Sequence, residues 1–365
     1  MPTVNNMEQA NGHLVEGDNI DEYFVSYEDL QVHQIMLTDR RRNLAYKNAI
    51  EDNLHEFKDK VVLDVGAGTG FLSVLCAQAG ARKVYAVEAS EGMIPLLKDT
   101  CRINNFEEVI QVVAGKVEDV ELPEKVDVII SEWMGFYLIH EGMLSSVIHA
   151  RDKFLQPGGV MVPNKSSIKA CLCRVPSLYG SWDSVDGVNL SHVGKMYRRR
   201  YLTEPAILVL EESDLVSGQV TVAEFDLHSV TDADLVRISK EMVTVPKETC
   251  HAQGICLSFD VSMFGQTFST GPSEPPTHWK QSVIVFPDGV EVEEGEGVAY
   301  RLIMTRTANP RRYAIELSPL EADEIEHEVG CECSMARCRI ISAYIKEQER
   351  LDSEDNMETG EEEEN

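Results

Sequence analysis

The first half of the chain contains an apolar strand pattern that runs directly into a glycine-rich turn. Residues 60–65 are mostly apolar, and the turn at 66–70 reads G-x-G-x-G. Residues 71–79 then repeat apolar residues at helical spacing, and residues 83–88 form a second apolar strand pattern. Parallel neighbouring strands need a crossover connection, so a strand, a helix and a strand in this order predict a parallel βαβ unit.

The same alternation continues to residue 163 and then stops. The further predicted elements are a helix at 93–104, strands at 109–114 and 126–130, a helix at 141–154 that the turn at 156–159 ends, and a strand at 160–163. Beyond residue 163 the helical patterns give way to short runs of alternating polarity, which are typical of a β-sandwich or a β-barrel. The sequence therefore predicts an α/β domain over residues 21–163 and a β domain over 164–345.

The segments that flank and interrupt these domains differ from them in composition and in sequence pattern. We expect residues 1–20 to be disordered and the following segment, to residue 53, to be an amphipathic helical lead-in. Residues of about 177–205 have little strand pattern and form a candidate inserted arm. Residues 346–365 carry ten acidic residues against two basic ones, which predicts a disordered acidic tail.

Composition limits the class of protein. The chain has 365 residues, 43% of them hydrophobic, which is enough for two folded cores. The formal net charge of -29 argues against broad binding to nucleic-acid phosphates and favours cationic ligands. No apolar stretch is long enough to predict a membrane span, and the amino end lacks the pattern of a signal peptide, so we expect a protein that stays inside the cell.

Cysteine usage predicts free thiols. The nine cysteines include no C-x-x-C pair, which suits a reducing compartment better than a disulfide framework. His327, Cys331, Cys333 and Cys338 are close enough in sequence to suggest a zinc site. Their H-x3-C-x-C-x4-C spacing matches no common site, however, and we expect Cys331 and Cys333 to alternate along a terminal strand, with no bound metal.

The glycine-rich turn is a candidate cofactor loop. Its spacing differs from the dinucleotide pattern G-x-G-x-x-G, and no Lys-Ser or Lys-Thr pair follows the glycines, which argues against phosphate binding. Glu88 ends the next strand, where a carboxylate can accept hydrogen bonds from both hydroxyls of a ribose. An NAD-binding βαβ unit is the weaker alternative.

Two carboxylates, Glu132 and Glu141, bracket a segment that follows the predicted strand at 126–130. They are expected at the carboxyl edge of the sheet, where open α/β folds bind their ligands. A tight loop could direct both carboxylates at one planar cation, and a guanidinium fits because its fork of donors matches paired carboxylates. The alternative is a solvated turn with two ordinary surface acids.

These motifs, taken together, resemble those of the type I protein arginine methyltransferases. The resemblance covers nearly all of residues 21–340 and is carried by Tyr23 and Phe24 with Tyr27, by His33, Met36, Asp39 and Arg42, by Ser131 to Gly135 with Glu141, and by Thr277, His278 and Trp279. Within the family, His140, residues 277–281 and residues 309–312 favour the sixth member, a histone-arginine methyltransferase. The resemblance implies a Rossmann-like class I methyltransferase domain followed by a β-barrel domain with a helical dimerisation arm.

The resemblance also implies a set of residues that bind S-adenosylmethionine. Gly66 and Gly68, after Asp64, would pass under its amino-acid part, and Glu88 would hold the ribose. The other implied contacts are Val117 and Glu118 near the adenine, His33 and Arg42 on the side of the methionine carboxylate, and Tyr23 and Phe24 in a helix that folds over the cofactor, with Met36 also lining the site.

At the acceptor side, the resemblance implies that Glu132 and Glu141 bind the substrate guanidinium. His278 would pair with Asp39, either as a proton relay or as a structural link between the domains. The remaining implied substrate contacts are Tyr27, Met36, which would narrow the site, and Trp279, which would form a wall. One position departs from the family: the usual tyrosine after Met-Gly is Phe136, with Tyr137 next to it.

The function that the resemblance implies is methyl transfer to protein arginines. The expected products are monomethylarginine and asymmetric dimethylarginine on histones or Gly-Arg-rich proteins, made by a homodimer that acts in the nucleus or the cytoplasm, with the nucleus favoured. Neither nucleic acid nor a membrane is an expected partner. The alternatives are a methyltransferase for small amines or nucleic acid, and a catalytically silent relative that serves as a scaffold or transcriptional coregulator.

Overall fold

A computed structural model describes residues 27–180 and 182–360, with side chains described as far as Leu351. The expectations for residues 1–20, for Tyr23 and Phe24, and for the last five residues concern the chain outside the described residues. Within the described part, no helix is both long and apolar enough to cross a membrane.

From residue 27 onward, where the description of the chain begins, three helices precede the first strand. They are α1 (Leu30–Thr38), α2 (Arg40–Glu51) and α3 (Leu54–Phe57). Asp39 separates the first two: it is the C-cap of α1 and the N-cap of α2, where its side chain accepts a hydrogen bond from the Arg42 backbone N–H. A carboxylate suits an N-cap because it accepts from an otherwise unpaired amide. The chain therefore bends at Asp39, and this bend becomes part of the site described below.

The α/β domain is a five-stranded parallel sheet with strand order β3-β2-β1-β4-β5. Its elements are β1 (Val61–Val65), α4 (Phe71–Gln78), β2 (Lys83–Glu88), α5 (Met93–Ile103), β3 (Ile110–Ala114), β4 (Val126–Ile130), α6 (Met143–Phe154) and β5 (Leu155–Val162). All five residues of β1 are buried, as expected for the central strand of a sheet covered on both faces. The predicted parallel α/β domain is confirmed.

The second domain is built from two antiparallel sheets. Strands β6 (Lys165–Cys173), β7 (Ala206–Leu208), β8 (Val220–Asp226), β10 (Cys250–Met263), β11 (Gln266–Ser269) and β12 (Gln281–Val292) form one, and β9 (Arg237–Thr244), β13 (Val298–Arg306) and β14 (Tyr313–Leu320) form the other. Short helices α7 (Pro176–Tyr179) and α8 (Ser191–Arg198) lie in the predicted arm, and α9 (Ala336–Gly360) ends the described chain. The predicted β domain after residue 163 is confirmed.

Three local predictions differ from the structure. The turn expected at 156–159 is an irregularity inside β5: Leu155 pairs with Val126 on β4, Val160 pairs with Val128, and the register shifts between these two pairs. Residues 346–360, expected to be disordered, continue α9. Cys331 and Cys333 lie in the loop between β14 and α9 rather than on a strand, so they do not alternate across a sheet.

Asp64 is the one carboxylate on the buried central strand β1. Its Oδ2 accepts a 2.6 Å hydrogen bond from the Ser73 hydroxyl on α4, whereas its Oδ1 is buried with no hydrogen-bond partner in the described chain. Burial, only partly offset by that hydrogen bond, raises the pKa of Asp64 to about 7. Folding therefore favours the protonated carboxyl.

The stability of the protein should consequently depend on pH through Asp64. Its folded pKa lies above its unfolded value, so its contribution is most favourable below about pH 4 and is lost as the pH rises to about 7. Asp64→Asn should remove this loss. As the pH rises from about 5 to about 8, the free energy of unfolding of the natural chain should fall by about 2–3 kcal/mol relative to that of the variant. Urea unfolding at each pH measures this difference.

The matched control is Asp119→Asn, which changes an exposed carboxylate in the same domain. It should leave the pH dependence of the natural chain unchanged. Parallel curves for Asp64→Asn and the natural chain would show that folding does not raise the pKa of the Asp64 carboxyl.

Candidate active site

The main pocket lies at the carboxyl edge of the parallel sheet, next to the point where the strand order reverses between β1 and β4. This is where open α/β sheets bind ligands. Residues of α1, of the loops after β1, β2, β3 and β4, and of the second domain line it, including Tyr27, His33, Met36, Arg42, Gly66, Gly68, Glu88, Val117, Glu118, Glu132, Glu141, His278 and Trp279. The structure thus brings most of the residues singled out in the sequence to one cavity.

The glycine-rich loop forms one wall of this pocket. Gly66 and Gly68 have φ angles of 73° and 53°, and a Cβ at Gly66 would lie 2.3 Å from the Met143 side chain. The left-handed backbone at both positions favours glycine. The loop therefore offers bare backbone to a ligand.

Glu88 is held rigidly beside the loop. Its two carboxylate oxygens accept backbone N–H bonds of 2.7 Å each, from Gly68 and from Ser90. A carboxylate fixed in this way still has lone pairs that can accept from two neighbouring hydroxyls. Farther out, the buried Val117 side chain lines the pocket beside the exposed Glu118, which accepts a 2.6 Å bond from Ser146.

The segment between Glu132 and Glu141 is a strained hairpin. Gly135 and Leu138 exchange two 3.0 Å backbone hydrogen bonds, and a Cβ at Gly135 would lie 2.1 Å from the His140 carbonyl oxygen. Leu138 and Glu141 have φ angles of 76° and 74°, which non-glycine residues rarely adopt. Because Glu141 and Gly142 are left-handed, α6 begins at Met143 rather than at 141 as predicted. Such strain is typical of functional loops that the surrounding structure holds in place.

The departure at Phe136 moves a hydroxyl into the interior of the hairpin. Phe136 lines the pocket, while the Tyr137 ring is buried and its hydroxyl lies 2.7 Å from Nδ1 of His140. Burial and the nearby Arg312 lower the pKa of His140 to about 4, so its imidazole is neutral at pH 7. The hydroxyl at 137 thus links the two sides of the loop.

The two carboxylates have different partners. Oε2 of Glu132 accepts hydrogen bonds of 3.0 and 2.9 Å from Nε and Nη2 of Arg42, and Oε2 of Glu141 accepts a 2.6 Å bond from the Tyr27 hydroxyl. His33 anchors the same segment, since its Nε2 lies 2.7 Å from the Tyr27 carbonyl oxygen. Arg42, which the resemblance places toward the methionine carboxylate, is therefore paired with Glu132.

His278 and Asp39 connect the two domains. Oδ2 of Asp39 lies 2.8 Å from Nδ1 of His278 and accepts a 2.9 Å bond from its backbone N–H. Burial would raise the pKa of Asp39, but the hydrogen bonds from His278 and from Arg42 outweigh it and lower the pKa below its ordinary value. The carboxylate stays ionised and fixes the imidazole.

Trp279 lines the pocket and is at the same time a buried support of the site. Its ring is 4% exposed and packs edge-on against Phe259 and Phe268, while its Nε1–H donates a 2.8 Å bond to the Met134 carbonyl oxygen. Since Met134 belongs to the hairpin and Trp279 belongs to the second domain, this bond fixes the position of the hairpin relative to the second domain.

Arg311 is a site residue to which the sequence reasoning gave no role. It lies in the loop between β13 and β14: its carbonyl accepts a 2.8 Å bond from the Glu141 N–H, and its Nη1 donates a 2.7 Å bond to the Glu141 carbonyl. In the sequence, residues 309–312 indicate only a resemblance to the family. Nothing in their spacing indicates that they hold the second glutamate, because that contact spans two domains.

Comparison with known proteins gives the same class as the geometry. Residues 62–159 match a model described as a methyltransferase domain, and residues 173–319 match the arginine methyltransferase oligomerization subdomain. Protein arginine N-methyltransferase 1.1 of Arabidopsis thaliana is 38% identical over 311 residues, which cover 82% of this chain and 77% of the relative. The probable protein arginine N-methyltransferase 6.1 of Oryza sativa subsp. indica is 35% identical over 342 residues, covering 84% and 89%.

A solved structure supports the likeness at the level of the fold. The Trypanosoma brucei PRMT1 enzyme-prozyme heterotetrameric complex with AdoHcy superposes with a TM-score of 0.73 at 34% identity, over 83% of this chain and 98% of the solved chain. The chain belongs to the protein arginine N-methyltransferase family. It is an enzyme that depends on S-adenosylmethionine.

The pocket has the features that this cofactor requires. The left-handed glycines expose backbone, and the fixed Glu88 carboxylate can accept from the ribose hydroxyls. Asp64, expected from the sequence to contact the cofactor, is buried and is not among the residues that line the pocket. The acidic character of the site also suits a ligand that carries a sulfonium. Gly66, Gly68, Glu88, Val117 and Glu118, which all line the pocket, would hold it.

Proposed function

We propose that the protein methylates arginines of histone tails or Gly-Arg-rich proteins, with monomethylarginine and asymmetric dimethylarginine as products. The observation that carries the proposal is the meeting of Glu132 and Glu141 in one pocket with Met36 and His278. The pairing of Arg42 with Glu132 supports it, because that carboxylate already accepts two donors of a guanidinium.

The two glutamates would activate the substrate. A guanidinium is a poor nucleophile because its charge is delocalised and its pKa lies far above 7. Two carboxylates on one side of it draw positive charge toward the nitrogens that they contact and leave lone-pair density on the other terminal nitrogen. S-adenosylmethionine supplies an electrophilic methyl group on its sulfonium. Holding the attacking nitrogen in line with that methyl group removes much of the entropic barrier.

His278 and Asp39 are the groups proposed to take up the proton. A proton accepted at Nε2 of His278 would be balanced by the Asp39 carboxylate at Nδ1, 2.8 Å away. The loss of the proton follows formation of the new N–C bond, so the pair need not be strongly basic. A purely structural role as a link between the domains is the alternative for His278.

The product assignment and the closer placement in the family rest on sequence. Met36 lies beside the pocket and is proposed to narrow it on the acceptor side, which favours asymmetric over symmetric dimethylation. His140 and residues 277–281 and 309–312 favour the sixth member of the family. The resemblance to that member also favours the nucleus, so a nuclear location is proposed over a cytoplasmic one.

A homodimer is proposed through the arm, which lies within the match to the oligomerization subdomain. On this arm Val193 and Met196 of α8 are 46% and 51% exposed, and Leu202 beyond it is 60% exposed. Apolar side chains grouped on one inserted element are typical of a surface that another chain covers. Trp182 packs against Gly194 and keeps the arm in shape.

The first prediction from the proposed function concerns Glu132 and Glu141. Glu132→Gln and Glu141→Gln should each lower turnover by at least ~100-fold, because each removes one charge that stabilises the transition state. Cofactor affinity should change little. Single-turnover methyl transfer to a Gly-Arg-rich peptide and equilibrium binding of S-adenosylhomocysteine give the two readouts.

Glu107→Gln, at an exposed position of the same domain, is the control and should keep full turnover. Near-normal turnover in either active-site variant would refute the assignment. Intact cofactor binding in the natural chain without any methyl transfer would instead favour the silent scaffold.

The second prediction concerns products and substrates. Incubation with histones and, separately, with a Gly-Arg-rich peptide should give monomethylarginine first and asymmetric dimethylarginine later, as amino-acid analysis by mass spectrometry would show. Symmetric dimethylarginine would overturn the product assignment. Methylation of neither substrate would overturn the proposed substrate class.

The third prediction concerns assembly. Met196→Asp places an unpaired charge on the arm, so it should raise the dissociation constant of the dimer by about 100-fold or more, given the cost of burying a charge without a partner. Sedimentation over a range of concentrations measures this. Val236→Asp, an exposed apolar position outside the arm, is the control and should leave assembly unchanged. A monomeric natural chain would exclude the dimer.

A further inference from the structure

A cluster of one histidine and three cysteines lies far along the chain from the active site, in the segment that joins β14 to α9. The ligand atoms of His327, Cys331, Cys333 and Cys338 all lie within 4.8 Å of one another. The first three belong to the loop, and Cys338 belongs to the first turn of α9. The loop between β14 and α9 and the first turn of α9 thus bring four potential metal ligands close together.

The orientation of the imidazole matches that of a metal ligand. Nε2 of His327 lies 2.6 Å from the Ala322 carbonyl oxygen, which can only accept, so Nε2 carries the proton. Nδ1 therefore presents its lone pair to the cluster. A ligating histidine commonly donates its other ring N–H to a carbonyl in this way, which fixes its tautomer and direction.

The three sulfurs surround that lone pair. Nδ1 lies 3.4 Å from Sγ of Cys331, 3.4 Å from Sγ of Cys333 and 3.1 Å from Sγ of Cys338. One lone pair can accept one S–H well, so hydrogen bonding alone does not account for three thiols converging on it. Ligand atoms of a tetrahedral zinc site, with Zn–S of about 2.3 Å and Zn–N of about 2.0 Å, stand roughly 3.5 Å apart. The observed separations are close to that value.

The cluster is also shielded and anchored. Cys333 and Cys338 are buried, and all three cysteines of the cluster are free thiols in the structure. Arg337 donates to the carbonyl oxygens of Ala322 and Ile325, at 2.9 and 2.7 Å, and so closes the loop on itself. Free, preorganised thiols in a closed pocket suit a structural ion rather than a catalytic one, which would need an open position.

The loop is fastened to the three-stranded sheet from outside the cluster. The Ser334 N–H donates a 2.8 Å bond to the Gly295 carbonyl oxygen before β13, and Glu328 pairs with Lys240 of β9 at 3.1 Å. A link through Cys338 would therefore join the start of α9 to this sheet.

We propose that His327, Cys331, Cys333 and Cys338 bind one zinc ion in a four-coordinate structural site that fastens α9 to the second domain. The spacing of these residues in the sequence predicts no metal, whereas the fold brings their ligand atoms within 4.8 Å of one another. The proposal is independent of the catalytic assignment, since none of these residues lines the active-site pocket.

The test uses the full chain, expressed with zinc in the medium and purified without chelators. Elemental analysis should find about one zinc per chain. Cys333→Ser and Cys338→Ser should each lower the content to below about a fifth of that. Cys250→Ser changes a partly exposed thiol outside the cluster and should keep the full content.

A second measurement guards against variants that fail to fold. The natural chain, stripped by a chelator and refilled with Co²⁺, should show thiolate-to-cobalt charge-transfer absorption that one equivalent of Zn²⁺ abolishes. Zinc near zero in the natural chain together with no cobalt absorption would overturn the proposal, as would a disulfide within the cluster found by mass spectrometry of the freshly purified protein.

Discussion

The site depends on holding two like-charged carboxylates at fixed positions, which a short loop cannot do alone. Glu132 and Glu141 stand at the two ends of a hairpin with left-handed, non-glycine backbone at Leu138 and Glu141. Bonds from the second domain offset that strain: Trp279 donates to the Met134 carbonyl, and Arg311 bonds Glu141 on both sides of its backbone. The α/β domain and the helices before it supply most of the pocket lining, and His278, Trp279 and Arg311 of the second domain complete it. The active site is therefore a product of the contact between the two domains.

Asp39 holds side chains in position on the other side of the pocket. One carboxylate caps α2, bonds the backbone of His278 and fixes its imidazole. Each of these bonds favours the ionised carboxylate and offsets the cost of its burial. The bend between α1 and α2, the position of Arg42 within α2 and the second domain are thus coupled through a single side chain, and Arg42 in turn reaches Glu132.

Local patterns were sufficient wherever a short segment determines its own structure. The parallel sheet is predicted by apolar runs that helical patterns separate. The glycine-rich loop is predicted by residues that tolerate a left-handed backbone. The prediction was incomplete where distant partners decide: the helix ends at Phe154 before the turn at 156–159, but Leu155 and Val160 on either side of the turn both pair with β4, so the turn lies inside β5. Arg311 was missed because its contact with Glu141 joins segments that lie far apart in the sequence. At Phe136 the sequence indicated only a lost or displaced hydroxyl, and the fold directs the Tyr137 hydroxyl to His140.

By itself the sequence determined the class of fold, the family and the identity of the acids, because these depend on residue type and on spacing within single segments. The tertiary structure alone decided how those acids are held, which partners they have, and that His327 and three cysteines converge on one point. The physical reason is the same in each case. Hydrogen bonds, metal ligation and strained backbone depend on distances of a few ångströms between atoms that the chain separates by tens or hundreds of residues, and only folding sets those distances.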